Sequence, residues 1–485
     1  MKKFESLLDK YYLKFMLEIR DKKGESMLFT TNIFLFFFFP FCVLGYFILN
    51  HFKNIKLNNL YLILTSLFFY AWAGINIVLY FIIFIIYIYL ASHLLENSEN
   101  DKQRKIRLIS VLTSLIGILV YIKYFNFFIY NLNFIFELEI PKKDIIIPLG
   151  VSFIIFEAIS YILDVYWKKA KATTLLDVAL FLSFFPKVVS GPIVLWRDFS
   201  SQINNRKVSL DLFYSGVERI MIGFAKKAII ADTLGITVSN IIENLKYGID
   251  NITAIGGMLC YTLQLYYDFS GYSDIAIGIS NCFGFEIKEN FNFPYVSSSI
   301  TEFWRRWHIS LGTWFREYLY IPLGGNKKGN IYLNLFIVFL VTGIWHGARW
   351  NYIIWGGIHG FFIILERYLS KNTVWYNKIN LIYKRIFTFL IVSFSWVIFM
   401  LPKWSMVKKY YASIFSIAKK NINFTYSYYF DKRVITLIVI GLLGAILNKK
   451  IKNEKIKMIV CIIVFLLAII FMINSTYSPF LYFQF

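Results

Sequence analysis

Five histidines stand in the sequence, and three of them, His308, His346 and His359, fall close together. An imidazole can take a proton near neutral pH and give it back, which makes this crowding the first sign of chemistry. His51 and His93 lie at the edges of apolar runs and read as solvated. His346 sits in Leu340-Val-Thr-Gly-Ile-Trp-His-Gly-Ala-Arg-Trp350, near the end of an apolar run. An ionisable group at membrane depth is costly and is expected to face an interior cavity. A histidine there on its own would more simply hydrogen-bond a neighbouring helix; its polar surroundings turn the reading toward catalysis. Gly343 and Gly347 have the spacing that lets a second helix approach closely.

His308 lies in Phe303-Trp-Arg-Arg-Trp-His-Ile-Ser-Leu-Gly-Thr-Trp-Phe-Arg-Glu-Tyr-Leu-Tyr320. Wound as one helix, this segment puts Arg305, His308, Gly312 and Arg316 near one stripe, with Trp304, Trp307, Leu311, Trp314 and Phe315 on others. A snorkelling interfacial helix accounts for the arginines and tryptophans. It does not require a histidine among them. Arginines beside a histidine suit a phosphate-bearing acyl donor, so Arg305 and Arg316 are candidate substrate-binding residues. His359, in Gly356-Gly-Ile-His-Gly360, reads as a packing residue with a polar contact across helices.

Tyr266-Tyr-Asp-Phe-Ser-Gly-Tyr-Ser-Asp274 sets Asp268 and Asp274 inside a long apolar run. Buried carboxylates need partners, and Arg305, Arg306 and Lys227 are available. Asp268 and Asn351 join the candidate substrate-binding set, with Asn290 and Asn292 as further polar groups. Cys42, Cys260, Cys282 and Cys461 show no metal-ligand spacing and read as buried thiols. Neither a metal site nor a permanently bound cofactor is expected.

The elements that must position these residues are membrane spans. Of 485 residues, 58% are hydrophobic and only 16% charged, against about 25% charged in soluble domains. The apolar residues come in long uncharged runs, each near the roughly 20 residues that a crossing needs. Spans are expected at 28–50, 58–74, 76–95, 107–129, 145–166, 174–195, 252–284 (bent or double), 331–348, 352–369, 384–402, 433–448 and 456–473. The expected fold is therefore an all-α polytopic membrane protein of roughly eleven transmembrane helices. The net charge of +22 sits in short loops rather than on one folded face, which speaks against nucleic acid as a partner. It marks instead the cytoplasmic side of the bilayer. Loops holding Lys53 and Lys56, Lys102 to Arg107, and Lys449 to Lys457 are placed there. That leaves the uncharged tail Ile473–Phe485 external.

Residues 1–26 are of mixed charge and read either as an amphipathic interfacial helix or as an extension upstream of a start at Met27. No cleavable signal peptide is evident, since the first apolar run continues without a small-residue cleavage site. Residues 197–250 and 285–330 are mixed or polar and read as interfacial or re-entrant pieces, a role also expected of the break at Ser190-Gly-Pro-Ile193. The lack of an internal repeat counts against a polysaccharide or ion transporter.

In order and spacing, several strings together resemble the membrane-bound O-acyltransferase family, and within it the branch that O-acetylates alginate. They are Met27-Leu-Phe-Thr-Thr-Asn-Ile-Phe-Leu-Phe, Pro148-Leu-Gly-Val-Ser-Phe-Ile-Ile-Phe-Glu157, Phe185-Pro-Lys-Val-Val-Ser-Gly-Pro-Ile193 and Tyr267-Asp-Phe-Ser-Gly-Tyr-Ser-Asp-Ile-Ala-Ile-Gly278. Further on come Arg305-Arg-Trp-His-Ile-Ser-Leu, Tyr318-Leu-Tyr-Ile-Pro-Leu-Gly-Gly325, Trp345-His-Gly347 and Pro479-Phe-Leu-Tyr-Phe-Gln-Phe485. The resemblance covers residues 27–485 as one membrane domain, with interfacial and re-entrant helices around a central tunnel. It implies His346 at the catalytic centre and His308 as a second catalytic histidine. A phenylalanine-glutamine pair of the family stands here as Phe156-Glu157.

The same resemblance implies a cytoplasmic thioester donor, acetyl-CoA, and a polysaccharide acceptor. It implies a hydrolase-fold acetyltransferase outside the membrane as partner and the cytoplasmic membrane as location. A relative that transfers D-alanine to teichoic acid from a carrier protein is the alternative within the class.

Overall fold

The computed structural model describes residues 27–145, 147–188, 191–416, 424–447, 451 and 453–474. The expectations for residues 1–26 and for the tail beyond 474 lie outside the described residues.

Among the described residues the regular structure is helical. The first four helices are α1 (Phe34–Asn50), α2 (Ile55–Ala71), α3 (Ile75–Glu96) and α4 (Asp101–Phe136). Asparagine caps start two of them. The Asn54 side chain accepts from the amides of Lys56 and Leu57, and Asn100 from that of Gln103, which satisfies amides that a helix start leaves without partners. α3 and α4 are long and apolar enough to cross a membrane, as are two later helices, α14 (Leu381–Met400) and α16 (Glu454–Asn474, over its span Glu454–Ile473). Their exposed faces carry residues such as Ile83, Tyr130, Phe387 and Leu466, which suits contact with lipid tails.

The expected span 174–195 is not one helix. After α5 (Val151–Tyr166), helix α6 (Leu175–Ser183) ends at Phe184, a four-residue helix follows at Phe185–Val188, and Gly191–Leu195 is buried without regular structure. Side chains satisfy that backbone: Ile193 N donates to Ser310 Oγ (3.0 Å) and Val194 N to Glu157 Oε1 (3.1 Å). Irregular backbone at depth survives only with such partners. The second oxygen of Glu157 accepts from the fully buried Lys187, so this buried carboxylate meets a cation.

Residues 197–250 form more than interfacial pieces. Helix α7 (Leu210–Ala225) runs through a π-helical turn at Lys226–Ala231 into α8 (Asp232–Asn244). It lies antiparallel to α9 (Asn251–Cys282), because Gly216 faces Gly278 and Gly223 faces Gly271. A Cβ on Gly223 would stand 2.6 Å from the carbonyl oxygen of Gly271, so these backbones touch only because both residues are glycine. α9 is one continuous helix, not the double element allowed for 252–284.

Beyond α9 come two short helices, α10 (Ile300–Arg306) and α11 (Ile309–Phe315), then α12 (Ile331–His346), α13 (Trp350–Asn372), α14, α15 (Lys432–Ile446) and α16. α12 and α13 form an antiparallel hairpin, with Gly343 against Gly356 at its seam and His346 as the last residue of α12. The four cysteines are buried free thiols.

Candidate active site

His346 closes α12 and is only 5% exposed. Its ring is boxed by Trp345 (5.0 Å between centroids), Trp355 of α13 (5.1 Å) and Phe399 of α14 (5.3 Å). The last carbonyls of a helix lack partners within it. Here α4 supplies them: Lys123 Nζ donates to Trp345 O at 2.6 Å, and Tyr124 Oη donates to Ile344 O. The cation of Lys123 also lies 5.6 Å from the centroid of the Trp345 ring. The hairpin tip that carries His346 is thus tied to a separate membrane-crossing helix.

His308 does not continue a helix, as the stripe reading requires. Trp307 is extended and His308 is left-handed (φ 46°, ψ 54°), which separates α10 from α11. This conformation is uncommon for a residue with a side chain. Asn290 compensates the break. Ile309 N donates to Asn290 O (2.9 Å) and Ser310 N to Asn290 Oδ1 (3.2 Å), while Asn292 N donates to Arg306 O (2.9 Å). A main-chain amide can only donate, so the contact from Ser310 fixes which atom of Asn290 is the oxygen. That oxygen also lies 3.1 Å from His308 Nδ1. Nδ1 is therefore the protonated nitrogen of His308. Nε2 carries the lone pair when the ring is neutral.

The Trp345 ring lies near both histidines, its centroid 6.2 Å from that of His308 and 5.0 Å from that of His346. His308, at 1% exposure, is the least exposed polar side chain on the wall of a cavity of about 910 Å³. Arg305, Gly312 and Arg316 line that cavity too, so the four stripe residues meet in space although the helix between them is broken. Arg367 and Lys384 add two more cations, which sequence reasoning missed. The lining carboxylate, Glu366, is occupied by the start of α10: it accepts from Ile300 N (2.6 Å), Thr301 N (3.2 Å) and Thr301 Oγ1 (3.4 Å). The cavity runs along α12 from Leu335 to Thr342, one turn short of His346. It is a positively charged chamber next to a buried pair of histidines, and it suits an anionic ligand with a reactive end.

Other candidates lie apart from this chamber. Asp268 pairs with Lys227 (2.8 Å), which also holds Asp232 (2.5 Å), within the α7–α9 core. Asp274 is held by Arg219 (2.9 Å) and Lys226 (2.6 Å). Arg306 pairs with Glu302 rather than with either buried aspartate. Asn351 donates to Leu401 O at 2.6 Å and so fastens the start of α13 to the end of α14. Neither Asp268 nor Asn351 lines the cavity. His359 has the packing role expected of it. Trp304 Nε1 donates to its Nδ1 (3.2 Å), and its Nε2 bonds Ser395 Oγ (2.9 Å), which joins α10, α13 and α14.

The fold is a helical membrane domain with two buried histidines near one tryptophan ring, and the sequence matches one family model. The chain belongs to the membrane-bound O-acyltransferase family, whose model matches residues 161–411, and it is a multi-pass membrane protein. Among curated relatives it is 40% identical to the probable alginate O-acetylase AlgI of Pseudomonas putida over 401 residues, which cover 80% of each chain. It is 33% identical to the peptidoglycan O-acetyltransferase of Helicobacter pylori over 419 residues, 77% of each chain. The teichoic acid D-alanyltransferase of Bacillus subtilis is 31% identical over 286 residues, 53% of this chain and 70% of that one.

Proposed function

We propose that the protein is an O-acetyltransferase that moves an acetyl group from a cytoplasmic thioester, acetyl-CoA, toward hydroxyls of an envelope or secreted polysaccharide. The relatives named for O-acetylation align over more of the chain than the D-alanyltransferase does, which favours acetyl over D-alanyl transfer. Alginate, peptidoglycan and other exopolysaccharides all remain within the acceptor class.

One observation carries the mechanism: the Trp345 ring lies near both His346 and His308, and His308 walls a chamber ringed by cations. His346 acts as general base on the acceptor hydroxyl, a role worth about 10²–10⁴-fold. His308, set in one tautomer by Asn290, orients the reacting groups. Arg305 and Arg316 hold the phosphates of the donor, with Arg367 and Lys384 beside them. Asp268 and Asn351 support the site through the helices that they lock.

The sidedness of the bilayer fits this assignment. The end of α4 near Arg107 is cytoplasmic by its charge. Lys123, which grips the hairpin tip, lies about 24 Å further along that helix. Donor and acceptor then approach His346 from opposite faces through a tunnel enclosed by roughly eleven crossings. A hydrolase-fold partner outside the cytoplasmic membrane completes transfer to the glycan.

The test is acetyl-CoA turnover by the purified protein in nanodiscs, wild type beside His346→Ala, with folding of both checked by size exclusion. Loss of turnover in a folded variant is the expected result. Equal activity would remove His346 from the chemistry. Inactivity with acetyl-CoA combined with activity on a D-alanyl carrier protein would move the chain to the teichoic acid branch.

A further inference from the structure

Two donors beside His346 are unused by the packing. The rings of Trp345 and Trp355 flank the imidazole at 5.0 and 5.1 Å, while Phe399, on a third side, has no polar atom. Trp355 is fully buried and Trp345 is 5% exposed. Neither indole Nε1–H has an acceptor among the described residues. Other tryptophans nearby do find one. Trp304 donates to His359, Trp314 to the carbonyl of Phe156 and Trp350 to Asn131. A buried indole N–H ordinarily has a partner; among the described residues those of Trp345, Trp355 and Trp396 have none, and the first two belong to rings packed on one histidine, which calls for an explanation.

We propose that the indole N–H groups of Trp345 and Trp355 bind the oxyanion that develops on the acyl carbonyl during transfer. The proposal rests on the reading of His346 as base. As His346 takes the hydroxyl proton, the hydroxyl oxygen bonds to the thioester carbon and the carbonyl electron pair moves onto oxygen. That pair then returns, the carbon–sulfur bond breaks, and the thiolate leaves with the proton held by His346. Atoms and charge balance without another reagent. An indole N–H can only donate. It therefore has nothing to offer the proton in flight, and it suits the one atom that gains negative charge. Both rings are also fixed in advance, as such a site requires. Trp345 packs on Phe153 and Phe156 at 5.5 and 5.4 Å, with its carbonyl gripped by Lys123. Trp355 stacks on Trp396 at 5.6 Å.

The experiment replaces each indole by an isostere that lacks the donor, Trp345→3-benzothienylalanine and Trp355→3-benzothienylalanine, in the full chain in nanodiscs, with acetyl-CoA as probe. Trp345→Phe and Trp355→Phe serve as second variants, and His346→Ala runs beside them. Loss of one oxyanion donor is expected to lower kcat by about 10²–10³ with KM for acetyl-CoA unchanged. Unchanged kcat in both isosteric variants overturns the proposal, and so does a rise in KM at constant kcat, which reports ground-state fit. If His346→Ala abolishes turnover while the isosteric variants keep kcat, the oxyanion assignment alone falls. If His346→Ala keeps turnover, both readings fall together.

Discussion

Lys123 Nζ lies 2.6 Å from the carbonyl oxygen of Trp345, so a cation inside one membrane-crossing helix caps the end of the helix that carries His346. A cation at a helix C-terminus is favoured by the partial negative charge there. Hydrogen bonds to charged groups contribute about 1.5–3 kcal/mol. In Lys123→Met the stem keeps its length and the donor is lost, so the tip loosens while the fold persists. We expect kcat for acetyl-CoA turnover to fall about 10- to 100-fold, at 1.4 kcal/mol per tenfold, with the elution volume on size exclusion unchanged. Wild-type kcat in this variant would mean that the tip is positioned without Lys123.

Asn290 is the second such support. Its side-chain oxygen faces Ser310 N, Ser310 Oγ (2.9 Å) and His308 Nδ1, and its amide nitrogen donates to Ser273 Oγ (3.1 Å). Asn290→Ala leaves the left-handed turn at His308 without its side-chain acceptor. A buried donor without a partner costs about 1–3 kcal/mol. A lower melting temperature in detergent is expected together with a fall in kcat. Asn290→Asp, which keeps the acceptor oxygen, should retain more of both than Asn290→Ala. Equal losses in the two variants would refute the account.

Much of the fold was legible because long apolar runs have few alternatives to a helix in a bilayer. The hairpin of α12 and α13 was foreshadowed by Gly343. The cluster of His308, Arg305 and Arg316 was legible from type and spacing, even though its helix is broken. The break itself was not, since Trp307-His308 contains neither glycine nor proline and is imposed by Asn290, which is distant in sequence. Lys123 was missed although its signal was present: a lone lysine in an apolar run is costly and points to a partner. Asp268 and Asn351 looked like site residues because a polar group in an apolar run reads the same whether it meets substrate or, as here, Lys227 and the carbonyl of Leu401.

Arg305 and Arg316 line the chamber, and no carboxylate pairs with either among the described residues. An exposed cation contributes up to about 1 kcal/mol to an ion pair. Arg305→Gln and Arg316→Gln should each raise KM for acetyl-CoA a few-fold and leave kcat in place. The double variant should also flatten the salt dependence of KM, because exposed charges are screened. A short acyl thioester without phosphates, such as acetyl-pantetheine, should show no difference between variant and wild type. Equal KM effects on both donors would mean that these arginines do not read phosphate.

The α12–α13 seam allows a paired test in which neighbouring glycines should behave oppositely. A Cβ on Gly356 would stand 2.4 Å from Phe339 O and 3.1 Å from the Cα of Gly343, whereas one on Gly357 meets nothing within 4 Å. Gly356→Ala therefore has to push α13 away from α12. Overpacking of this kind costs about 1–3 kcal/mol, and it displaces the Trp355 side of the box around His346. Gly357→Ala adds a methyl in open space and improves helix propensity by about 1 kcal/mol. Thermal unfolding in detergent should show Gly356→Ala below wild type and Gly357→Ala at or above it. Acetyl-CoA turnover below the melting temperature should fall only in Gly356→Ala. If both variants melt and turn over alike, close contact at the seam is not what sets the position of His346.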